Sequence, residues 1–332
     1  MKASGRFGIL YTSHHKGAGY RCDEPALPAS AGVSDADMRV KLHLVFNPAS
    51  GQFRQERLEA LTAALEAQGF DPVLVPSRID GLMIPSEARL VCVFGGDGTL
   101  RLVAQALGDR IGDVALCVCP SGTINLVARE LGYAADPGTF AARLAKAWAR
   151  GPAAWVVSPL VETGTTPVVS CLSIGPDSLA VAGVSGALKA RIGRLAYAVA
   201  GLKLLWRWPR AVLRIRAETP AGGVLVLDAE AMFVARGRYY AGPFRLSRAA
   251  RLGSAGFELV TLPSASRMRC AAFMLALALG LRPERLGLAR VQTVRTLTID
   301  PGTMPVQVDG DTVSAAGPIH IGMAGRAARF CV

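Results

Sequence analysis

The residues best suited by type and spacing to do chemistry are Gly95-Gly96-Asp97-Gly98-Thr99. Glycines let a backbone take positive φ and let a bulky anion come close. The apolar, β-prone run Leu90–Phe94 precedes them, and Leu100–Leu107, closed by Gly108, reads as a helix. The loop therefore joins a strand end to a helix start, where free N–H groups favour negative charge. Asp97 is the odd member, because a carboxylate repels phosphate. It fits if it holds a metal ion, activates a hydroxyl or hydrogen-bonds the turn. Plain turn chemistry is the competing reading of the whole loop.

Two more loops need the same kind of support. Val40–Phe46 reads as a strand leading into Asn47-Pro48-Ala49-Ser50-Gly51, followed by a helix over Arg54–Gln68. Phe70–Val75 reads as another strand. Val114–Cys119 is a further strand, leading through Pro120-Ser121-Gly122-Thr123-Ile124-Asn125 into a helix over Leu126–Leu131, with a second helix over Thr139–Arg150. Apolar strand, small-residue loop and helix thus recur three times, which predicts a parallel α/β sheet. Ligands of such sheets bind beyond the carboxyl ends of the strands. Asn47, Thr99, Thr123 and Asn125 offer neutral donors and acceptors suited to the sugar and phosphates of a nucleotide, although Asn47-Pro48 could be a strand stop and Asn125 could cap its helix. No Walker loop occurs, and these loops lack the dinucleotide glycine spacing.

After Ser158 the texture changes to short β-like runs: Val156–Val161, Val168–Ile174, Ala211–Ala217, Val224–Val234, Phe257–Leu262, Thr293–Ile299 and Met304–Val308. They predict an all-β second domain interrupted by helices over 185–206 and 265–281. The expected divisions are an extension at 1–37, an α/β domain at 38–157, a β domain at 158–314 and a closing segment at 315–332. Asp309-Gly310-Asp311 reads as a hairpin turn, with Asp309 turn-forming.

Composition narrows the function. Hydrophobic residues make up 51% of the 332 residues and charged ones 19%, enough for a large core. The net charge of +12 favours acidic partners. Aromatics are only 6% and do not interleave with basic runs, which argues against nucleic acid. Seven cysteines and four histidines show no metal-ligand spacing, so the cysteines read as buried free thiols. Residues 1–37 lack the apolar core of a signal peptide and read as a flexible extension, with Met38 an alternative start. No run reaches the ~20 residues of a membrane span; the nearest, Cys270–Leu281, reads as a buried or interfacial helix.

Four motifs in order carry a family resemblance. Asn-Pro-x-Ser-Gly (47–51), Gly-Gly-Asp-Gly-Thr (95–99), Pro-x-Gly-Thr-x-Asn-x-x-Ala-Arg (120–129) and Asp-Gly-Asp (309–311) resemble the bacterial lipid kinases related to diacylglycerol kinase and sphingosine kinase. Lys189–Tyr197 is similar to a further family segment. The resemblance covers Met38 to the C-terminus. It implies an α/β nucleotide domain, a β-sandwich lipid domain, and a tail returning to the first domain. It also implies a nucleotide site of Asn47, Ser50, Gly95, Gly96, Asp97, Gly98, Thr99, Thr123 and Asn125, taking ATP with Mg2+. Asp311 inherits the role of general base toward a lipid hydroxyl, and Asp97 a catalytic role beside the nucleotide.

The chain departs from this family at several points. Leu102 and Leu126 stand where relatives carry Glu and Asp. Gly253-Ser254-Ala255-Gly256 replaces a stretch whose carboxylates hold a structural Mg2+, which predicts loss of that site. Arg236-Gly237 replaces Asn-Gly. These losses keep alive a lipid- or nucleotide-binding protein with little turnover. An NAD kinase is the other alternative, disfavoured by the absent Asn-Glu pair.

Gly186–Arg216 carries eight basic residues and no acid, with Leu188, Ile192, Leu195, Val199, Leu202 and Trp206 at near-helical spacing. That pattern predicts docking on an anionic membrane through Lys203, Arg207, Arg210 and Trp206 or Trp208, and hence a cytoplasmic protein peripheral to the inner face. A solvated helix face is the alternative, which would move docking to Ala265–Arg282.

Overall fold

A computed structural model describes residues 39–48, 50, 53–77, 81–183, 209–313, 315 and 317–332. The extension at 1–37, Met38, Ala49, Gly51, the Lys189–Tyr197 segment and Lys203, Trp206, Arg207 and Trp208 lie outside the described residues. Arg39–Val332 forms one compact unit.

The first half runs β1 (Val40–Phe46), α1 (Gln55–Glu66), β2 (Phe70–Pro76), β3 (Leu90–Gly95), α2 (Asp97–Leu107), β4 (Ala115–Pro120), α3 (Leu126–Leu131) and α4 (Pro137–Ala149). β2, β1, β3 and β4 pair in parallel in that order. Both faces of β3 are buried, as a central parallel strand demands. Leu42, Leu44, Cys92 and Phe94 point to one face, where α1 and α4 bring Leu58, Leu61, Phe140 and Leu144. Val45, Val91 and Val93 point to the other, against Leu100, Val103 and Leu107 of α2. Helix α2 starts at Asp97 rather than Leu100, so Asp97, Gly98 and Thr99 are its first turn, because Gly96 is extended and acts as N-cap.

The second half comprises β5 (Val156–Thr163), β6 (Thr166–Val168), β7 (Cys171–Ile174), α5 (Pro176–Ala182), β8 (Leu213–Glu218), β9 (Val224–Ala229), β10 (Ala231–Ala235), β11 (Tyr239–Tyr240), β12 (Phe244–Arg245) and β13 (Phe257–Leu262). It ends with α6 (Arg267–Ala278), β14 (Arg290–Val294), β15 (Thr296–Ile299), β16 (Val306–Val308), β17 (Asp311–Val313) and β18 (Ile319–Phe330). The parallel sheet does not stop at β4. β18 pairs with β4 in parallel at Arg329↔Ala115 and with β15 antiparallel, and β8 and β9 extend the sheet antiparallel beyond β15. A second sheet, β14-β13-β10-β7-β16-β17, packs on this antiparallel part through Met232, Val234, Leu259, Leu213, Ile215 and Ile299. The result is an α/β half joined to a β-sandwich half.

Several predicted strands turn out to be two. Val224–Val234 breaks at Glu230, and Thr293–Ile299 breaks at Arg295; in each case the two pieces lie in different sheets. Periodicity does not report such a switch. Val168–Ile174 breaks at Val169-Ser170, whose N–H groups turn to Asp309 instead of a strand. α5, β11 and β12 have no counterpart in the sequence reading; β17 completes the hairpin at Asp309–Asp311, and the closing segment forms β18.

Candidate active site

The three loops meet because β1, β3 and β4 are adjacent and parallel. Phe46 is opposite Phe94, and Gly95 is opposite Pro120. Asn47, Gly96 and Ser121 therefore leave the same sheet edge. The Asn47 carbonyl accepts the Ser50 N–H at 3.1 Å, and the Gly95 carbonyl accepts the Ser121 N–H at 3.1 Å.

Gly95 of the second loop and Gly122 of the third are required by contact. A Cβ on Gly122 would lie 2.6 Å from Gly96 Cα and 2.7 Å from Asn125 Oδ1. A Cβ on Gly95 would lie 2.6 Å from Thr99 Oγ1, so Thr99 is packed beneath the loop. Asn125 has positive φ (54°) and sits at the N-cap of α3, yet its side chain does not cap the helix. Its Oδ1 accepts the Gly122 N–H at 3.0 Å and its Nδ2 donates to the Gly122 carbonyl at 2.8 Å. Thr123 is half-buried in the same turn.

Asp97 supplies the missing cap. Its Oδ2 accepts the Leu126 N–H at 2.7 Å and its Oδ1 the Val127 N–H at 2.9 Å. Of the roles left open for Asp97, the geometry displays hydrogen bonding, directed chiefly to the N–H groups that follow the third loop. Burial pushes its carboxyl up to about 6, the two amide bonds pull the other way, and nearby Asp309 raises it further.

The Asp-Gly-Asp motif forms the β16–β17 hairpin. Val308 pairs with Asp311, leaving Asp309-Gly310 as a two-residue turn with φ of 51° and 89°, the type I′ pattern. The two carboxylates part ways. Asp309 is buried and accepts the N–H groups of Val169, Ser170 and Cys171 and the Ser170 hydroxyl at 2.7–3.0 Å. Burial raises its pKa against these bonds. Asp311 instead reaches the first half. Its Oδ2 accepts from Arg101 Nη2 at 2.6 Å and would touch a Cβ on Gly98 at 3.4 Å. Asp311 is half exposed, whereas Arg101 is mostly covered and its buried Nε has no partner among the described residues.

Other residues near these loops were missed by sequence reading. Arg57 of α1 donates to the Pro120 and Ala135 carbonyls. Glu130 of α3 binds both the N–H and Nε of Arg238 at 3.0 Å, locking the two halves together beside Gly237. Asp177 accepts from Ser173 and Tyr240, and burial raises its pKa. Apart from Ser173–Asp177, four residues apart, these pairs join residues distant in the chain, and no local spacing announces them.

The region of the expected structural Mg2+ holds a different cation. Arg236 is buried and donates to the carbonyls of Leu252 (3.0 Å), Gly256 (3.2 Å) and Pro159. Burial lowers its pKa to about 10, so it stays charged at neutral pH. Carbonyls already facing a guanidinium, with no carboxylate in Gly253–Gly256, do not fit a divalent ion.

Comparison with known proteins agrees with the motifs. Residues 41–153 match the family model for the diacylglycerol kinase catalytic domain. No curated protein matches the chain. Two structures from Bacillus anthracis str. Sterne share the fold. One, provisionally described as a diacylglycerol kinase, superposes with a TM-score of 0.67 at 18% identity, covering 91% of this chain and 98% of its own. Another, described as a diacylglycerol kinase, gives 0.64 at 19%, covering 88% and 96%. The resemblance read from the motifs agrees with both findings: residues 41–153 match the diacylglycerol kinase catalytic domain model, and the chain has the two-part fold of these structures.

Proposed function

We propose that the protein is an ATP-dependent lipid kinase that transfers the γ-phosphate to a lipid hydroxyl, of the diacylglycerol or sphingoid kind, at a membrane face. One observation carries the reading. Asp311, from the sandwich half, stands over Gly98 in the first turn of α2, at the edge where the three small-residue loops converge.

The site would take ATP as its Mg2+ complex, the metal supplying charge neutralisation of the phosphate oxygens. The N–H groups at the start of α2 would hold the triphosphate, with Asn47, Ser50, Thr123 and Asn125 at the same edge and Thr99 supporting the loop from beneath. Asp97 acts from behind as a positioning residue that holds the third loop against the second. Asp311 is the base that accepts the proton of the lipid hydroxyl as it attacks. Its ion pair with Arg101 must open for this. Incoming phosphate offers the guanidinium a competing anion, so nucleotide binding would free the base.

The same ion pair favours the second reading, a binding protein with little turnover, since a carboxylate oxygen engaged by a guanidinium is not open to a lipid hydroxyl. Incubation with labelled ATP, Mg2+ and extracted lipids separates the two. Label in a lipid product that disappears in Asp311→Asn supports the kinase; nucleotide binding without labelled lipid overturns it.

A further inference from the structure

Helix α6 opens with Arg267 and Arg269 and is apolar on every side from Cys270 onward. From Cys270 to Leu281 no side chain is charged or carries an amide or hydroxyl. One face is accounted for: Phe273, Ala276 and Leu277 are buried on the outer face of the six-stranded sheet, where Phe273 stacks on Phe233 at 6.1 Å. The opposite stripe is Met268, Leu275 and Leu279, exposed by 84%, 59% and 64%. Ala271, Ala272 and Ala278 lie exposed between them, and Leu281 and Leu286 extend the ridge past the helix end.

A helix apolar all round belongs in an interior or in lipid, and a contiguous exposed ridge marks a contact surface. At 12 residues α6 is about 18 Å long, too short to cross a bilayer. Charge selects the occupant. Segment 265–290 has five arginines and a single acid, Glu284. Arg267, Arg285 and Arg290 are exposed around the ridge. Arg248 and Arg269 bind the Gly280 and Gly287 carbonyls at 2.8 and 2.6 Å, which keeps further positive charge beside the helix exit. An apolar ridge with an arginine rim matches acyl chains below anionic headgroups. A second copy docked symmetrically on this face would set rim against rim.

We propose that α6 and the turn to Leu286 form a seating element that inserts into the outer layer of an anionic leaflet. The proposal deepens the lipid-kinase reading and rests on it for its purpose, not for its chemistry. It also relocates docking from Arg210, which is held by Glu230 at 2.6 and 2.7 Å; Glu230 in turn accepts the Ala265 N–H just before α6.

The test is cosedimentation of the full chain, without nucleotide, with phosphatidylglycerol/phosphatidylcholine vesicles and with phosphatidylcholine alone. The wild type should pellet with the anionic vesicles, weakly with neutral ones, and less as salt rises. Leu275→Asp/Leu279→Asp should lower the partition coefficient at least tenfold with an unchanged melting temperature, and Arg267→Glu/Arg285→Glu should do the same while flattening the salt dependence. Leu275→Trp, which keeps the ridge apolar, should shift its emission to the blue on anionic vesicles and be quenched by brominated lipid. Undiminished binding by the folded aspartate pair, no blue shift, or a wild-type dimer that the pair converts to monomer overturns the proposal. Failure of the kinase reading looks different: no variant labels any lipid, yet vesicle binding keeps this pattern.

Discussion

Asp311 and Arg101 meet at 2.6 Å, joining a hairpin of the sandwich half to the first helix turns beside the glycine loop. Their separation of 210 residues makes this contact a product of the closed fold.

If Asp311 is the base, its loss strikes the chemical step. Asp311→Asn should lower kcat by about 100-fold or more with little change in ATP affinity. Arg101→Ala should instead weaken ATP binding. Steady-state kinetics with nucleotide-binding titrations check both. Loss of ATP binding in Asp311→Asn without a separate chemical defect moves Asp311 to the nucleotide site.

Asp97 gives a pH signature with an unusual sign. The folded carboxyl titrates at about 6 against an ordinary 3.8. Below 3.8 both states are protonated and the stabilisation is complete; it is lost as pH rises through 6. Wild type relative to Asp97→Asn should therefore gain stability between pH 7 and pH 4, by up to about 3 kcal/mol. Paired denaturant titrations at the two pH values measure it. A difference that shrinks with acid would show that the carboxyl is not buried. Turnover of the variant should fall at least about tenfold, because the third loop loses its anchor.

Gly122→Ala tests the contact between loops. The new Cβ meets the Gly96 backbone at 2.6 Å, and backbone yields poorly. The expected cost is about 1–3 kcal/mol, with weaker ATP binding. Unchanged melting and ATP affinity would mean that the loops are free to part.

Arg236 predicts independence from a structural metal. Chelation by EDTA should leave the melting temperature of the nucleotide-free protein unchanged. Arg236→Met should cost about 2–5 kcal/mol, because three buried carbonyls lose a donor. A melting temperature that drops with EDTA and recovers with Mg2+ contradicts the assignment.

What the sequence determined by itself was local. Phe257–Leu262 as a strand and Leu126–Leu131 as a helix were legible to the residue. So was the recurrence of strand, small-residue loop and helix that brings Asn47, Gly96 and Ser121 to one edge. These rest on periodicity, turn chemistry and helix punctuation, which act over a few neighbours. Tertiary structure decided the rest. It split Val224–Val234 between two sheets at Glu230 and ran β18 alongside β4. It turned Asp97 toward Leu126, buried Asp309 under the Val169–Cys171 amides, and put Asp311 over Gly98. It also left one side of the apolar stretch of α6 in solvent. Each of these outcomes depends on which distant backbone supplies the partner or the cover. A carboxylate, a valine or a leucine has the same local pattern whichever way that competition ends.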